Sequence, residues 1–207
     1  MEQQNSFTKE DLIKAGTGEM FGAGNSQLPS DNMLMMDRII SINDDGGEHG
    51  KGYVHATKFV MPYEWFYTCH FYQDPVMPGS LGVEAILQAM QVFALQQDLA
   101  KDFKNPKFVQ LPNHKTVWKY RGQILTPVKK MHCEIHIKSV ERQEDGYLAV
   151  IGDATMGPMF SKTISHWSKN IIVFTNGEKV TDYELISNLN KNGIQIVENK
   201  IKKLISN

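Results

Sequence analysis

The sequence predicts an α+β fold in which an antiparallel sheet wraps one long helix, and three observations predict it. From Ser80 to about Ala100 there is no proline, and Leu81, Val83, Ala85, Ile86, Leu87, Ala89, Met90, Val92, Phe93, Ala94 and Leu95 are apolar. A helix apolar nearly all round is buried rather than laid on a surface. After Asn105-Pro106 the pattern changes to alternation of apolar and polar residues, the period of half-buried strands. Ahead of the helix, two strand-like runs flank Asp44-Asp45-Gly46-Gly47, a hairpin turn composition. One buried helix followed by successive antiparallel strands is a layered α+β arrangement.

Taken in order, Thr8-Lys9-Glu10-Asp11 reads as an N-cap with acids in the first turn of a short helix running to about Ala15. Glycines 16, 18, 22 and 24 make the loop that follows. Met33 to Asn43 and Lys51 to Val60 are the two arms of the hairpin, and the aromatic stretch from Pro62 to Cys69 suits one turn of helix. Pro78-Gly79 sits where a breaker belongs at the start of the long helix. Beyond it the expected strands are Lys107–Leu111, Thr116–Ile124, Lys130–Val140, Tyr147–Thr155 and Pro158–Trp167, with Glu144-Asp145-Gly146 among the turns. Thr175-Asn176-Gly177-Glu178 reads as a further turn, and Asp182 to Ile205 as a lysine-rich helical tail interrupted at Gly193. The expected organisation is a domain over residues 1–172 and an extension over 173–207.

Composition narrows the function classes. A net charge of -1 lacks the basic face that neutralises nucleic-acid phosphates. Two cysteines, Cys69 and Cys133, make no disulfide framework, and with no C-x-x-C pair in the chain a zinc site is not expected. Met1-Glu2-Gln3-Gln4-Asn5-Ser6 is unlike a signal peptide, and no run of about eighteen apolar residues occurs, so a cytoplasmic protein without membrane insertion is expected.

The densest chemistry lies between Thr68 and Glu84, which holds His70, two prolines, Gly79 and one carboxylate on the long helix. Histidine titrates nearest neutral pH and exchanges a proton at low cost. The amides of Gly79 and Ser80 open the helix, lack intrahelical acceptors, and stabilise negative charge placed before them. A carbonyl there is polarised, which acidifies its α-protons. Glu84 stands one turn into the helix, and Gln88, four residues on, can hold that carboxylate. These parts suit proton abstraction α to a carbonyl, with a carboxylic acid protonating a departing β-hydroxyl, and the chemistry needs no metal or cofactor. On composition alone the ordinary role of His70, among Trp65, Phe66, Tyr67, Phe71 and Tyr72, is structural, and that of Glu84 is a salt bridge. His132 and His136 point the same way from one strand without an evident third ligand.

The run His70-Phe71-x-x-Asp74-Pro75-Val76-Met77-Pro78-Gly79-x-Leu81-Gly82-x-Glu84-Ala85 closely resembles the active-site segment of the β-hydroxydecanoyl-thioester dehydratase/isomerase family of bacterial type II fatty-acid synthesis. Phe7 to Leu12, Gly18 to Gly22, Leu28-Pro29, Asn32 to Arg38, Gly52-Tyr53-Val54 and Gly122 to Leu125 extend the likeness from about residue 7 to about 172. The resemblance implies a hot-dog fold and a homodimer, or a higher even oligomer, with sites at the interface. His70 of one subunit would face Glu84 of the other. It implies a 3-hydroxyacyl thioester substrate on acyl carrier protein, its carbonyl held by Gly79 with Ser80 beside it, and its tail in a tunnel formed with Val76, Met77 and Pro78. Lys119, Arg121, Lys129 and Lys130 are candidates for receiving the acidic carrier.

The chain departs from that pattern where the family has an aspartate at the position of Glu84 and a cysteine at that of Ser80. Glutamate here resembles the sister dehydratases that do not isomerise the double bond. Thr116 to Gln123, Tyr72-Gln73 and Ser80 also resemble the dehydratase domains of polyunsaturated fatty-acid synthases. Two rivals remain: a hot-dog thioesterase, and a non-catalytic dehydratase-like subunit of a lipid-synthesising complex.

Overall fold

A computed structural model describes residues 4–111, 115–120, 122–144, 146–157, 172–174, 179–180, 183–191 and 194–199. The chain forms two compact units, Met1–Gly157 and Pro158–Asn207.

In the first unit, helix α1 spans Lys9–Thr17 and opens with a full capping box. The Thr8 hydroxyl accepts from the Asp11 amide at 3.2 Å, and the Asp11 carboxylate accepts from the Thr8 amide at 2.8 Å. Gly18 closes the helix in the left-handed conformation, φ 80°, which glycine adopts without the steric cost of a Cβ. Leu12 and Ala15 are the buried face. A single-turn 3-10 helix follows at Asp31–Met33.

Strands β1, Arg38–Asn43, and β2, Tyr53–Phe59, form the expected hairpin, and Phe7 adds an antiparallel bridge to Ile39. Strands β3, Lys130–Arg142, and β4, Leu148–Gly157, complete a four-stranded antiparallel sheet in the order β1-β2-β3-β4. The pleat sorts β3 by residue type: Met131, Cys133, Ile135 and Ile137 are buried, whereas His132, Glu134 and His136 face outward. On that outer face His132 and His136 have separate partners. His55 Nε2 lies 2.9 Å from His132 Nδ1, and the Glu48 amide donates to His136 Nδ1 at 3.1 Å.

Helix α2, Gly79–Gln96, lies against this sheet. It buries the stripe Leu81, Ala85, Gln88, Ala89, Val92 and Phe93, a helical repeat of three and four residues. The helix is largely buried, as its apolar residues predict, but not evenly: Leu87 is 43% exposed, and Val83, Glu84, Ile86 and Met90 are only partly covered. A single sheet can cover only the face of the helix it packs against.

The strands expected at Lys107–Leu111 and Thr116–Ile124 do not form among the described residues; the sole pairing nearby is the bridge between Val76 and Leu125. Alternating residue types supply the face of a strand, but a ladder also needs a partner backbone. Pro158–Trp167, the turn at 175–178 and the end of the tail lie outside the described residues.

In the second unit β5, Ile172–Phe174, pairs in parallel with β6, Gln195–Val197. Between them in sequence is helix α3, Tyr183–Lys191. The tail is thus helical only in part, and residues 195–197, read as helix, form a strand. Their apolar Ile196 and Val197 pair with a distant strand, which local helical spacing does not reveal. The Ile194 amide donates to the Leu189 carbonyl at 3.0 Å, with both side chains buried.

Candidate active site

Three segments of the first unit converge around the start of α2. The first is the 3-10 turn Trp65–Thr68, whose aromatic side chains anchor it: Phe66 and Tyr67 are buried and meet edge-to-face at 4.7 Å. The Cys69 and His70 amides both donate to the Phe66 carbonyl, at 3.3 and 2.9 Å, fixing the direction in which the chain leaves. Glu64, just ahead of the turn, pairs with Lys58 at 3.0 Å. Lys58 is only 6% exposed, and Asp37 lies 3.9 Å from the same ammonium group.

The second segment is the loop from His70 to Pro78. Its His70–Phe71 peptide is cis. Reciprocal bonds between Phe71 and Asp74, at 2.8 and 3.0 Å, close a tight turn, and the Val76 amide returns to the His70 carbonyl at 2.9 Å. The His70 ring stacks near Phe71, with centroids 3.9 Å apart. Its Nδ1 lies 2.9 Å from the Val76 carbonyl oxygen. A carbonyl only accepts, so Nδ1 carries the proton and the neutral ring presents its lone pair at Nε2. This loop thereby sets the tautomer a general base requires.

The third segment is the first two turns of α2. Pro78 is the N-cap and makes no side-chain cap, and the first turn has no acidic residue. The leading amides, Gly79 and Ser80, therefore meet no helical acceptor. Glu84 and Gln88 follow on one face. Gln88 is fully buried; its Nε2 donates to Glu84 Oε1 at 2.8 Å and to the Met33 carbonyl at 2.6 Å, while its Oε1 accepts from the Met35 amide at 2.7 Å. The expected contact between Gln88 and the carboxylate is present.

His70 and Glu84 are not joined within the chain: the His70 side chain bonds to Val76, and the Glu84 side chain to Gln88. Val76 and Met77 are buried, Pro78 is partly so, and Ser80 is exposed. The Met77 amide donates to the Ile124 carbonyl at 2.9 Å, holding the loop against the 122–125 segment. Lys119 and Lys129 are exposed, Lys130 lies over the Phe59 ring at 5.7 Å, and Arg121 lies outside the described residues.

Two features escaped sequence reasoning. One is the Val76 carbonyl, a backbone group that leaves no sequence signal. The other is Tyr120, whose ring packs on Gly79 so closely that a Cβ there would collide with it. The run Thr116 to Gln123 that contains it stands out only by its resemblance, and nothing in that run points to Gly79.

The pattern of a FabA-like domain matches residues 28–158, more than half of the chain, and spans all three segments. The match identifies the sheet-and-helix arrangement as a hot-dog fold. It speaks for the dehydratase family and not for the further likeness to polyunsaturated fatty-acid synthases. Among the described residues no helix is long and apolar enough to cross a membrane. The chain belongs to the FabA-like family of 3-hydroxyacyl thioester dehydratases of fatty-acid synthesis.

Proposed function

We propose that this chain dehydrates 3-hydroxyacyl thioesters, carried on acyl carrier protein, to trans-2-enoyl thioesters in the cytoplasm. The observation that carries the reading is the hydrogen bond from His70 Nδ1 to the Val76 carbonyl, which leaves Nε2 as the base, on the loop that leads into an uncapped helix N-terminus. In the forward reaction Nε2 removes a C2 proton. Charge moves onto the thioester oxygen, where the Gly79 amide and the helix dipole stabilise it. The C3–O bond then breaks, and the Glu84 carboxyl supplies the proton with which the hydroxyl leaves as water. Ser80 borders the carbonyl, Gln88 orients Glu84, and Val76, Met77 and Pro78 line the path of the acyl chain. Lys119, Arg121, Lys129 and Lys130 contribute positive charge for the acidic carrier.

The working unit in this reading is a homodimer. His70 and Glu84 have different partners within one chain, which supports a site completed by the second copy. Mixing His70→Ala and Glu84→Gln variants tests this together with the activity. In a shared-site dimer each heterodimer holds one intact site, so free subunit exchange restores about a quarter of wild-type activity. Sites complete within one chain would restore none.

Hydration of trans-2-enoyl thioesters, followed as loss of the conjugated chromophore, is expected for the wild type. Release of free thiol instead would establish the thioesterase, and an inert wild type the scaffold. Isomerisation to the cis-3 product is expected to be absent or weak. Glutamate is longer than the aspartate of the isomerases, and a displacement of about 1 Å costs on the order of a hundredfold in rate. Efficient cis-3 product from trans-2-decenoyl thioester would overturn that expectation.

A further inference from the structure

Tyr120 lies over the first turn of α2. A Cβ placed on Gly79 would collide with the Tyr120 ring and would stand 2.6 Å from its hydroxyl oxygen. Glycine at 79 therefore does more than expose an amide, because it admits an aromatic ring to the space a side chain would fill.

The position of the hydroxyl follows from covalent geometry. A Cβ lies about 2.5 Å from the nitrogen of its own residue, so the phenol oxygen is within about 5 Å of the Gly79 nitrogen. Two hydrogen bonds of about 2.8 Å meeting at one acceptor span up to roughly 5.6 Å. One oxygen atom can thus accept from the Gly79 amide and the Tyr120 phenol together. Tyr120 is 60% exposed, and its hydroxyl has no partner among the described residues. The uncapped turn beneath it has neither a side-chain cap nor an acidic residue to take up these donors.

We propose that Tyr120 is a second donor to the substrate's thioester carbonyl, its phenol hydrogen-bonding the oxygen that the Gly79 amide also holds. This rests on the dehydratase reading above. When Nε2 of His70 takes the C2 proton, the C–H electron pair forms the C1–C2 double bond of the enolate, and the carbonyl π pair moves to oxygen. The phenol keeps its proton throughout and strengthens its hydrogen bond as charge develops. As the enolate collapses, the electron pair returns to form the C2–C3 double bond and expels the hydroxyl, which leaves as water with the proton from Glu84.

Tyr120→Phe keeps the ring against Gly79 and removes only the donor. The expected result is a kcat lowered about a hundredfold with KM changed less than about threefold, the pattern of a lost oxyanion donor. In the infrared spectrum of a bound trans-2-enoyl thioester labelled with carbon-13 at the carbonyl, wild type should lower the stretching frequency, and Tyr120→Phe should abolish part of that shift. Wild-type kcat and an unchanged carbonyl band in Tyr120→Phe would overturn the proposal. A Tyr120→Ala enzyme faster than wild type, beside an unaltered Phe variant, would also overturn it, by making the ring a lid. Failure of the wild type itself to hydrate enoyl thioesters would instead refute the dehydratase reading, so the two failures are distinguishable.

Discussion

The Gln88 side-chain amide joins Glu84 Oε1, at 2.8 Å, to the Met33 carbonyl, at 2.6 Å, while its oxygen receives the Met35 amide at 2.7 Å. One buried residue therefore anchors the candidate acid to the backbone of Met33 and Met35, at the end of the 3-10 turn Asp31–Met33. Gln88→Leu preserves approximate size but orphans polar groups at Met33 and Met35 and frees Glu84. It is expected to cost about 1–3 kcal/mol, chiefly from the buried Met35 amide left without an acceptor, since Met33 is itself 44% exposed. It should also lower hydratase turnover by at least about tenfold, because the carboxylate loses its orientation. Urea unfolding and enoyl thioester hydration measure the two effects. An active, equally stable variant would remove Gln88 from the site.

Lys58 and Glu64 form a second buried relationship, at 3.0 Å, just ahead of the turn that delivers His70. Asp37 extends it, accepting from the Phe59 amide at 2.8 Å and pairing with Lys9 at 2.9 Å. Lys58→Met leaves two partly buried carboxylates without their shared cation and is expected to destabilise by about 2–4 kcal/mol. Removing the carboxylate as well, in Lys58→Met/Glu64→Leu, should recover part of that loss, because no orphaned charge remains at 64. Urea midpoints at unchanged m-value provide the comparison.

The two cysteines differ in reactivity for a physical reason. Cys69 is exposed, whereas burial in the core, followed by the charge of Glu134, pushes the Cys133 thiol from 9.0 to about 12. A thiol reagent at about pH 8 is expected to titrate one cysteine in the folded protein and two in denaturant. The folded state retains the Cys133 proton that an unfolded chain releases near pH 9. This contribution to stability is therefore complete below pH 9 and is lost as pH rises toward about 12. Cys133→Ala should flatten that alkaline slope in pH-dependent urea melts.

At the other end of the pH scale stands the cap of α1. The Thr8 hydroxyl and then the Thr8 amide hold the Asp11 carboxyl below its ordinary 3.8. A depressed carboxyl stabilises the fold above its unfolded value, and that increment is lost as pH falls from about 4. Thr8→Ala should cost about 1 kcal/mol at neutral pH. Asp11→Asn should reduce the acid-side loss of stability below about pH 4. Thermal melts across that range would detect both changes.

Local pattern sufficed for elements whose identity depends on their own residues. The hairpin was legible in Asp44-Asp45-Gly46-Gly47, α1 in Thr8 and Asp11, and β3 in the alternation from Met131 to Ile137. The spacing of Glu84 and Gln88 also foretold their bond, since residues four apart on a helix are neighbours. Pattern failed at residues 107–111 and 116–124, where alternation was present but no partner strand forms among the described residues. It failed again at 195–197, where pairing with Ile172–Phe174 outweighed the helical spacing around it.

By itself, then, the sequence determined the α+β class, the helix that carries Glu84, and the candidate set of His70, Gly79 and Glu84, because periodicity and breakers act over a few residues. Tertiary structure alone decided the chemical state and surroundings of those residues. The Val76 carbonyl selects the His70 tautomer, Met33 and Met35 lock Gln88, and Tyr120 closes over Gly79. Two of these three relationships, those of Gln88 and Tyr120, link residues far apart in the chain, and the third runs through a backbone carbonyl. Neither kind has a local signature, and both exist only once the chain has folded.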